Sequence, residues 1–297
     1  MRIFTGSAVA IVTPFIGSII DYVALESLID WHIECGTDAI VVCGTTGESS
    51  TLSKEEKKQV IAFTIEKTKK RIPIIAGTGG NNTIEVIEMS KFAEQAGADA
   101  LLIVTPYYNK TTQKGLVAHY FAIADEVEIP IILYNVPSRT GMNITPDTVR
   151  ELANHKNIVA IKEASGDISQ IAKIASLCID GFSLYSGNDD QIVPVLSLGG
   201  HGVISVVANV FPKETHEMVQ LYLSGNTQEA TRLQLEMLEL INTLFIETNP
   251  IPVKAALEIM GKINGELRMP LIPISEMNRK ILAENLIFLR RRLEANA

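Results

Sequence analysis

The sequence has few cysteines and histidines, and neither residue is spaced as metal ligands are. The three cysteines, Cys35, Cys43 and Cys178, form no C-x-x-C pair, and the five histidines form no H-x-x-x-H pattern. Zinc sites are built from such closely spaced ligands, so we expect no metal. Separate cysteines in apolar or helical surroundings indicate free thiols in a reducing compartment. The sequence therefore predicts a cytoplasmic protein.

Basic charge and long apolar runs are also lacking. The 26 lysines and arginines are outnumbered by 34 acidic residues, which leaves no basic face to displace counterions from phosphates. No apolar stretch reaches the roughly 18 residues of a membrane span, because Thr13, Pro14 and Gly17 interrupt the best candidate. The apolar segment before residues 8–10 is too short for a signal peptide. We expect no nucleic acid and no membrane among the partners.

What the sequence does contain is a repeated unit, a short apolar run followed by helical periodicity. The runs occupy residues 8–12, 39–43, 72–76, 100–104, 129–134, 158–162, 182–186 and 202–207. They are continuously apolar, which is typical of strands buried on both faces. Eight such strands favour an α/β fold, a closed (β/α)8 TIM barrel, over an open doubly wound sheet. A dinucleotide-binding fold is further disfavoured because no G-x-G-x-x-G follows the first run.

The pattern changes after Gly225-Asn226. Residues 227–245, 252–260 and 275–293 have helical periodicity with no strand-like run between them. We therefore predict two units, a catalytic barrel at residues 1–225 and a C-terminal helical domain at residues 226–297. Within the barrel, a capping box at Ser53–Glu56 and a Thr145-Pro146 pair mark the starts of two helices.

Lys162 ends the sixth apolar run, within the segment V-A-I-K-E-A-S-G-D. Burial disfavours a charged ammonium, and a neutral amine can attack a carbonyl carbon. Taken alone, Lys162 is more simply explained as a lysine that reaches solvent from a strand end. The letters V-A-I-K also occur in protein kinases, but the kinase motifs H-R-D and D-F-G are missing, which excludes that function.

Polar residues follow several other runs, where a (β/α)8 barrel has its active site. The segments are G-T-T-G-E at 44–48, P-Y-Y-N at 106–109, Y-N-V-P-S-R-T-G at 134–141, G-N-D-D at 187–190 and I-S at 204–205. Each segment taken singly could be an ordinary turn. Together they would bring hydroxyls, phenols and an arginine to one lysine, which suits a carbonyl substrate that carries carboxylates.

Three of these motifs, G-T-T-G-E, Y-N-V-P-S-R-T-G and V-A-I-K-E-A-S-G-D, resemble those of the 4-hydroxy-tetrahydrodipicolinate synthase (dihydrodipicolinate synthase) family. That family belongs to the pyruvate-dependent class I aldolase / N-acetylneuraminate lyase superfamily. The resemblance runs from about Gly6 to the C-terminal helices. It implies a (β/α)8 barrel with a C-terminal helical extension, a homotetramer built from two tight dimers, and no cofactor. It also implies a lyase that condenses pyruvate with L-aspartate 4-semialdehyde through a Schiff base, in diaminopimelate and lysine biosynthesis.

The resemblance implies four catalytic residues. Lys162 would form the Schiff base with C2 of pyruvate, and Tyr134 beside it would move protons. Thr45 would link Tyr134 to Tyr108, which would be inserted from a neighbouring subunit.

It also implies four substrate-binding residues. Thr46 would hold the pyruvate carboxylate, and Arg139 would receive the carboxylate of the semialdehyde. Gly187 and Ile204 would contact substrate through backbone atoms.

Three alternatives remain at this stage. A sister aldolase, N-acetylneuraminate lyase or a 2-keto-3-deoxy sugar-acid aldolase, would share the Lys–Tyr pair and the G-x-x-G-E turn, but it would typically lack an arginine at Arg139. A phosphate-handling barrel is disfavoured because Asp189 and Asp190 would repel a phosphate where such barrels bind it. A catalytically inactive ligand-binding barrel is disfavoured because the set of catalytic residues is intact.

Finally, the resemblance implies an effector site at the tight dimer interface, near four residues: Ser49, Asn81, Glu85 and Tyr107. Lysine-sensitive enteric relatives have histidines at the positions of Lys54 and Lys57. Two ammonium groups there would repel the side chain of an incoming lysine. Alternatively, both lysines form a solvated helix face paired with Glu55 and Glu56. We predict weak or absent inhibition by lysine.

Overall fold

The eight apolar runs form a closed barrel of parallel strands in the computed structural model, which describes residues 2–177 and 181–296. The strands are β1 Gly6–Ala10, β2 Ala39–Val42, β3 Ile74–Gly77, β4 Ala100–Val104, β5 Ile131–Asn135, β6 Ile158–Glu163, β7 Ser183–Ser186 and β8 Gly202–Ser205. Each strand pairs with the next, and β1 pairs with both β2 and β8, which closes the sheet. The predicted barrel is confirmed. Cys35 and Cys43 carry free thiols, whereas Cys178 lies outside the described residues.

The strands are apolar throughout because their two faces pack into different cores. Successive side chains of a strand point to opposite faces. One set fills the barrel interior with mostly small and medium side chains, including Ala8, Val41, Ala160 and Ile204. The alternate set packs against the surrounding helices in a larger core. Polar residues are therefore confined to the strand ends.

Helices follow the strands around the barrel. They are α1 Tyr22–Glu34, α2 Lys54–Thr68, α3 Thr83–Ala96, α4 Gln113–Ala124, α5 Pro137–Thr140, α6 Pro146–Leu152, α7 Ile168–Leu177, α8 Ile192–Ser197, α9 Pro212–Leu223, α10 Thr227–Thr243, α11 Ile251–Ile259 and α12 Glu276–Asn296. Helix α2 begins with the predicted capping box, in which the side chains of Ser53 and Glu56 each accept the other's backbone N–H. In the described part of the chain, no helix is both long and apolar enough to cross a membrane.

The structure differs from the sequence prediction mainly where strands begin and end. Strands β3 and β5 start after Pro73 and Pro130, not before them, because proline has no N–H to donate to the sheet. The proline carbonyls still accept hydrogen bonds, from Ile40 N at 3.0 Å and Leu101 N at 2.8 Å. A short hairpin, Phe15–Ile16 with Ile19–Ile20, was not predicted.

Candidate active site

A cavity of about 730 Å³ opens at the carboxyl ends of the barrel strands. It is bounded by the ends of β2, β5, β6 and β7, by the segment after β8, and by residues 245–249, which follow α10. The residues that line it include these, which were predicted from the sequence: Thr45, Thr46, Tyr134, Arg139, Lys162 and Gly187. Six of the eight predicted catalytic and substrate-binding residues therefore lie around one cavity.

Lys162 and Tyr134 form the floor of the cavity. They are register partners on β6 and β5, so their side chains leave adjacent strands toward the same face. Both are buried, at 5% and 7% exposure, and the Nζ of Lys162 lies 4.4 Å from the centre of the Tyr134 ring. No carboxylate among the described residues forms an ion pair with this amine. A buried amine without a salt bridge, beside a phenol, is suited to attack a carbonyl carbon.

Gly187 makes room for the stem of this lysine. A Cβ at position 187 would lie 2.6 Å from the Cβ of Ala164 and 3.1 Å from the Cε of Lys162. The backbone N–H of Gly187 donates to the carbonyl of Glu163 at 2.7 Å, which fixes the end of β7 against β6. A side chain at position 187 would therefore clash with Ala164 and press on the stem of Lys162.

The turn after β2 presents two threonines to the cavity. It closes through hydrogen bonds from Gly47 N to the carbonyl of Gly44 and from Glu48 N to the carbonyl of Thr45, each 3.1 Å. Thr46 is buried, and its hydroxyl accepts a hydrogen bond from the Nδ2 of Asn249 at 3.0 Å. A carboxylate on the cavity side of this turn would meet hydroxyl groups.

Arg139, on the short helix α5, also lines the cavity. Its Nη2 donates to the backbone carbonyl of Asn249 at 3.1 Å. Within residues 2–177 and 181–296, no carboxylate pairs with this guanidinium, which therefore remains available for an anionic ligand. Asn249 thus contacts both Thr46 and Arg139. Asn249 is not among the residues predicted from the sequence, because it lies 203 residues from Thr46 and follows no barrel strand.

A buried ion pair holds the turn after β2 on the side away from the cavity. The Nζ of Lys254, on α11, donates to the Oε1 of Glu48 at 2.7 Å and to the carbonyl of Thr13 at 2.9 Å. The other oxygen of Glu48 accepts the N–H of Arg268 at 3.0 Å. Burial lowers the pKa of Lys254, and the charge of Glu48 opposes this shift. The C-terminal helices are therefore joined to the cavity wall through charge as well as packing.

A second polar network lies on the outer face of β5 and β6. Asn135 follows Tyr134 and Glu163 follows Lys162, and the Nδ2 of Asn135 donates to both carboxylate oxygens of Glu163, at 3.2 and 3.0 Å. The N–H of Ser165 donates to Glu163 at 2.7 Å. Burial raises the pKa of Glu163, and these hydrogen bonds oppose the rise. These hydrogen bonds join the end of β5, which carries Tyr134, to the end of β6, which carries Lys162.

The structure does not bring two of the predicted residues to the cavity. Tyr108 lies after β4 with its side chain 93% exposed, and its backbone has a φ of 70°, in the left-handed region. It does not contact Thr45 or Tyr134 of the same chain. The side chain of Ile204 is fully buried in the barrel interior.

The six predicted effector residues, Ser49, Lys54, Lys57, Asn81, Glu85 and Tyr107, are not among those that line the cavity. The Nδ2 of Asn81 donates to the carbonyl of Tyr107 at 3.1 Å, and Glu85 accepts a hydrogen bond from Asn82 at 3.1 Å. Lys54 forms an ion pair with Glu88 on α3, which raises its pKa.

Lys54 is therefore not paired with Glu55 or Glu56 on its own helix. Glu56 instead pairs with Arg268 at 2.6 Å. This guanidinium lowers the pKa of Glu56 to about 2.

Comparisons with known proteins agree with this geometry. A family model described as the Dihydrodipicolinate synthetase family matches residues 3–287. The chain is 60% identical to the 4-hydroxy-tetrahydrodipicolinate synthase of Clostridium perfringens (strain SM101 / Type A) over 283 residues, 95% of this chain and 97% of the relative. The crystal structure of dihydrodipicolinate synthase from Thermotoga maritima has a TM-score of 0.96 at 44% identity, covering 97% of this chain and 99% of that one. The synthase from Cyanidioschyzon merolae, solved with lysine bound, has a TM-score of 0.95 at 40% identity, covering 98% and 99%.

Proposed function

The chain belongs to the dihydrodipicolinate synthetase family, and from this premise we propose that it condenses pyruvate with L-aspartate 4-semialdehyde to give 4-hydroxy-tetrahydrodipicolinate. It is a lyase of diaminopimelate and lysine biosynthesis that works through a Schiff base. The observation that carries the proposal is the buried amine of Lys162, 4.4 Å from the Tyr134 ring, in a cavity also lined by Arg139, which pairs with no carboxylate of the described residues.

The reaction proceeds in three stages at Lys162. Its amine attacks C2 of pyruvate, water leaves, and a protonated imine remains. Loss of a proton from the methyl carbon gives an enamine, which attacks the aldehyde carbon of the semialdehyde and forms the new C–C bond. The amino group of the semialdehyde portion then attacks C2, closes the ring and releases Lys162. One water is lost overall.

The other cavity residues have roles that follow from their positions. Tyr134 lies against the amine and moves protons in imine formation and cyclisation, with Thr45 on the adjacent wall. Thr46 binds the carboxylate of pyruvate. Arg139, at the mouth of the cavity, binds the carboxylate of the semialdehyde. Gly187 and Ile204 contact substrate through their backbones.

A sister aldolase remains the alternative to test. A sugar-acid lyase would keep Lys162, Tyr134 and the threonine turn, so those residues do not discriminate. The guanidinium of Arg139 pairs with no carboxylate in the described part of the chain, which favours a second substrate with a carboxylate near the reacting aldehyde. Steady-state assays with pyruvate plus either the semialdehyde or a sugar aldehyde separate the two functions.

We also propose that the protein is a cytoplasmic homotetramer, a dimer of dimers, with a barrel unit at residues 1–225 and a helical unit at 226–297. Tyr108 supports the assembly, because an almost fully exposed tyrosine in the segment after β4 suits insertion into a partner subunit. Mixing Tyr108→Phe with Lys162→Ala chains should restore activity in mixed dimers if Tyr108 acts across subunits. Light scattering would give the number of chains.

Borohydride trapping tests the proposed chemistry directly. Incubation with pyruvate and borohydride should add a reduced pyruvyl group to Lys162, located by mass spectrometry of peptides. Lys162→Ala should fold but form no adduct, and Lys173→Ala, at an exposed lysine on α7, serves as the matched control. An adduct on another lysine would reject Lys162 as the nucleophile.

A further inference from the structure

One acidic side chain lines the active-site cavity, and the proposed chemistry does not use it. Among the described residues that bound the cavity, Glu247 alone carries a carboxylate. It lies in the segment of residues 245–249, between α10 and α11, and it is half-buried. A carboxylate in a cavity that receives two substrates with carboxylates would repel that part of both. Its presence therefore needs another reason.

Glu247 is held in place by the start of α12. Its Oε1 accepts the backbone N–H of Ser275 at 3.0 Å and the Nδ2 of Asn278 at 2.7 Å. These hydrogen bonds, above all the one from Asn278, lower the pKa of Glu247, so that its carboxylate stays negative. Both donors are uncharged, and no ion pair within residues 2–177 and 181–296 neutralises this carboxylate.

The guanidinium of Arg139 lies beside the same segment. Its Nη2 donates to the backbone carbonyl of Asn249, two residues after Glu247, at 3.1 Å. Arg139 and Glu247 both line the cavity, but in the part of the chain that the structure describes they form no ion pair with each other. The cavity therefore presents one positive and one negative group, and each is available to a ligand group of opposite charge.

Asn249 adds an acceptor that lacks a donor. The residue is 4% exposed, and its Nδ2 donates to the hydroxyl of Thr46 at 3.0 Å. Its Oδ1 is buried and accepts no hydrogen bond from any described residue. Buried polar atoms are normally paired. Because Asn249 lines the cavity, a bound ligand can supply the missing donor.

An α-amino-acid group matches these three features. It carries a carboxylate and an ammonium on one carbon, and the ammonium has three N–H donors. The carboxylate suits the guanidinium of Arg139, whereas the ammonium suits an anionic oxygen and a neutral amide oxygen. Pyruvate and simple sugar aldehydes have no ammonium group. L-aspartate 4-semialdehyde has one.

We propose that Glu247 binds the α-ammonium group of the semialdehyde, with the Oδ1 of Asn249 as a further acceptor and Arg139 on the neighbouring carboxylate. This inference rests on the proposed function and assigns the residues that select an amino-acid aldehyde. A site built around a substrate N–H group rejects an analogue that lacks it, because the acceptors of the site are then left unpaired. Glu247 is therefore a specificity-determining residue.

Glu247→Gln removes the charge and keeps the shape of the side chain. The amide oxygen of glutamine can still accept the N–H groups of Ser275 and Asn278, so the link to α12 remains. Glu276→Gln is the matched control, because it removes the same charge from an exposed residue of α12 that does not line the cavity. Succinate semialdehyde, which is the semialdehyde without its amino group, is the probe for the ammonium.

The measurements are kcat/KM for L-aspartate 4-semialdehyde and the inhibition constant of succinate semialdehyde as its competitor. In Glu247→Gln we expect kcat/KM to fall about tenfold or more, because a charge-assisted hydrogen bond to the ammonium is lost. The inhibition constant of succinate semialdehyde should stay near the wild-type value or fall, because the removed charge could only repel its carboxylate. Glu276→Gln should match wild type in both measurements.

Two outcomes would overturn the inference. One is a Glu247→Gln variant whose kcat/KM for the semialdehyde stays near wild type, which leaves Glu247 as a link to α12 only. The other is an equal weakening of the semialdehyde and of succinate semialdehyde, which shows that Glu247 does not act on the ammonium. Rates are expressed per active site counted by borohydride trapping with pyruvate, so misfolded protein cannot mimic either result. Failure of the wild type to turn over the semialdehyde would instead reject the proposed function, and it is measured first.

Discussion

The Glu48–Lys254 ion pair allows a quantitative test of how the C-terminal helices hold the active site. Both side chains are almost completely buried, at 1% and 0% exposure, and they are joined by a 2.7 Å hydrogen bond. Lys254→Met keeps an unbranched chain of similar length but removes the ammonium. The carboxylate of Glu48 would then be left in the interior with the N–H of Arg268 as its hydrogen-bond donor.

The expected loss is large because an unpaired buried charge remains. Breaking a buried ion pair by removing one partner typically destabilises by about 3–5 kcal/mol. Removing both charges, in Lys254→Met with Glu48→Gln, should be milder than Lys254→Met alone, because the desolvation penalty of the carboxylate disappears with its partner.

The assay is urea unfolding at one fixed protein concentration, because an oligomer's apparent stability depends on concentration. Arg279→Met, which breaks the exposed Arg279–Glu258 pair, is the control and should change the unfolding free energy little. A loss below about 1 kcal/mol in Lys254→Met, or a double variant less stable than the single one, would refute the reasoning.

Four further predictions follow from the site and its surroundings. Arg139→Ala should reduce kcat/KM for the semialdehyde by about 10- to 150-fold, equivalent to about 1.5–3 kcal/mol for a charge-assisted contact, while borohydride trapping by pyruvate stays near wild type. Gly187→Ala should reduce both trapping and stability, because the new Cβ would lie 2.6 Å from the Cβ of Ala164 and 3.1 Å from the Cε of the catalytic lysine; normal trapping would contradict this. Burial lowers the pKa of His32 to about 3 in the folded protein. Below about pH 6.5 the unfolded chain therefore binds a proton that the folded protein does not, so the free energy of unfolding falls as pH drops toward 3, by up to about 1.4 kcal/mol per pH unit. His32→Gln should flatten that slope in urea unfolding at pH 7.5 and 5. Free lysine should inhibit only weakly, because Lys57 repels its side chain and Lys54, which is paired with Glu88, does so less strongly. Lys57→His should strengthen the inhibition. Half-inhibition of the wild-type protein at submillimolar lysine would contradict this.

The barrel could be predicted from sequence because its strands are buried on both faces. That condition produces continuous apolar runs, which differ from the alternating pattern of a half-exposed strand. Strand boundaries could not be predicted to the residue, since apolar character extends beyond the residues that pair in the sheet. Pro73 and Pro130 show this: they are part of the apolar runs, yet the strands begin after them.

The active-site residues on strand ends could also be predicted, because barrel topology brings all carboxyl ends to one face. Lys162 and Tyr134 are adjacent in the sheet for that reason. Asn249 and Lys254 could not be found in this way, because both contact the barrel across more than 200 residues of chain.

The contacts of the C-terminal segment explain why the G-T-T-G-E motif ends in a glutamate. Thr45 and Thr46 face the cavity, but Glu48 points away from it and pairs with Lys254 on α11. Five residues before Lys254, Asn249 contacts both the hydroxyl of Thr46 and the guanidinium of Arg139. The threonine turn and the arginine therefore take their positions from the same short stretch of chain. A change that loosens α11 should alter the binding of both substrates' carboxylates together, even though α11 itself supplies no residue to the cavity lining.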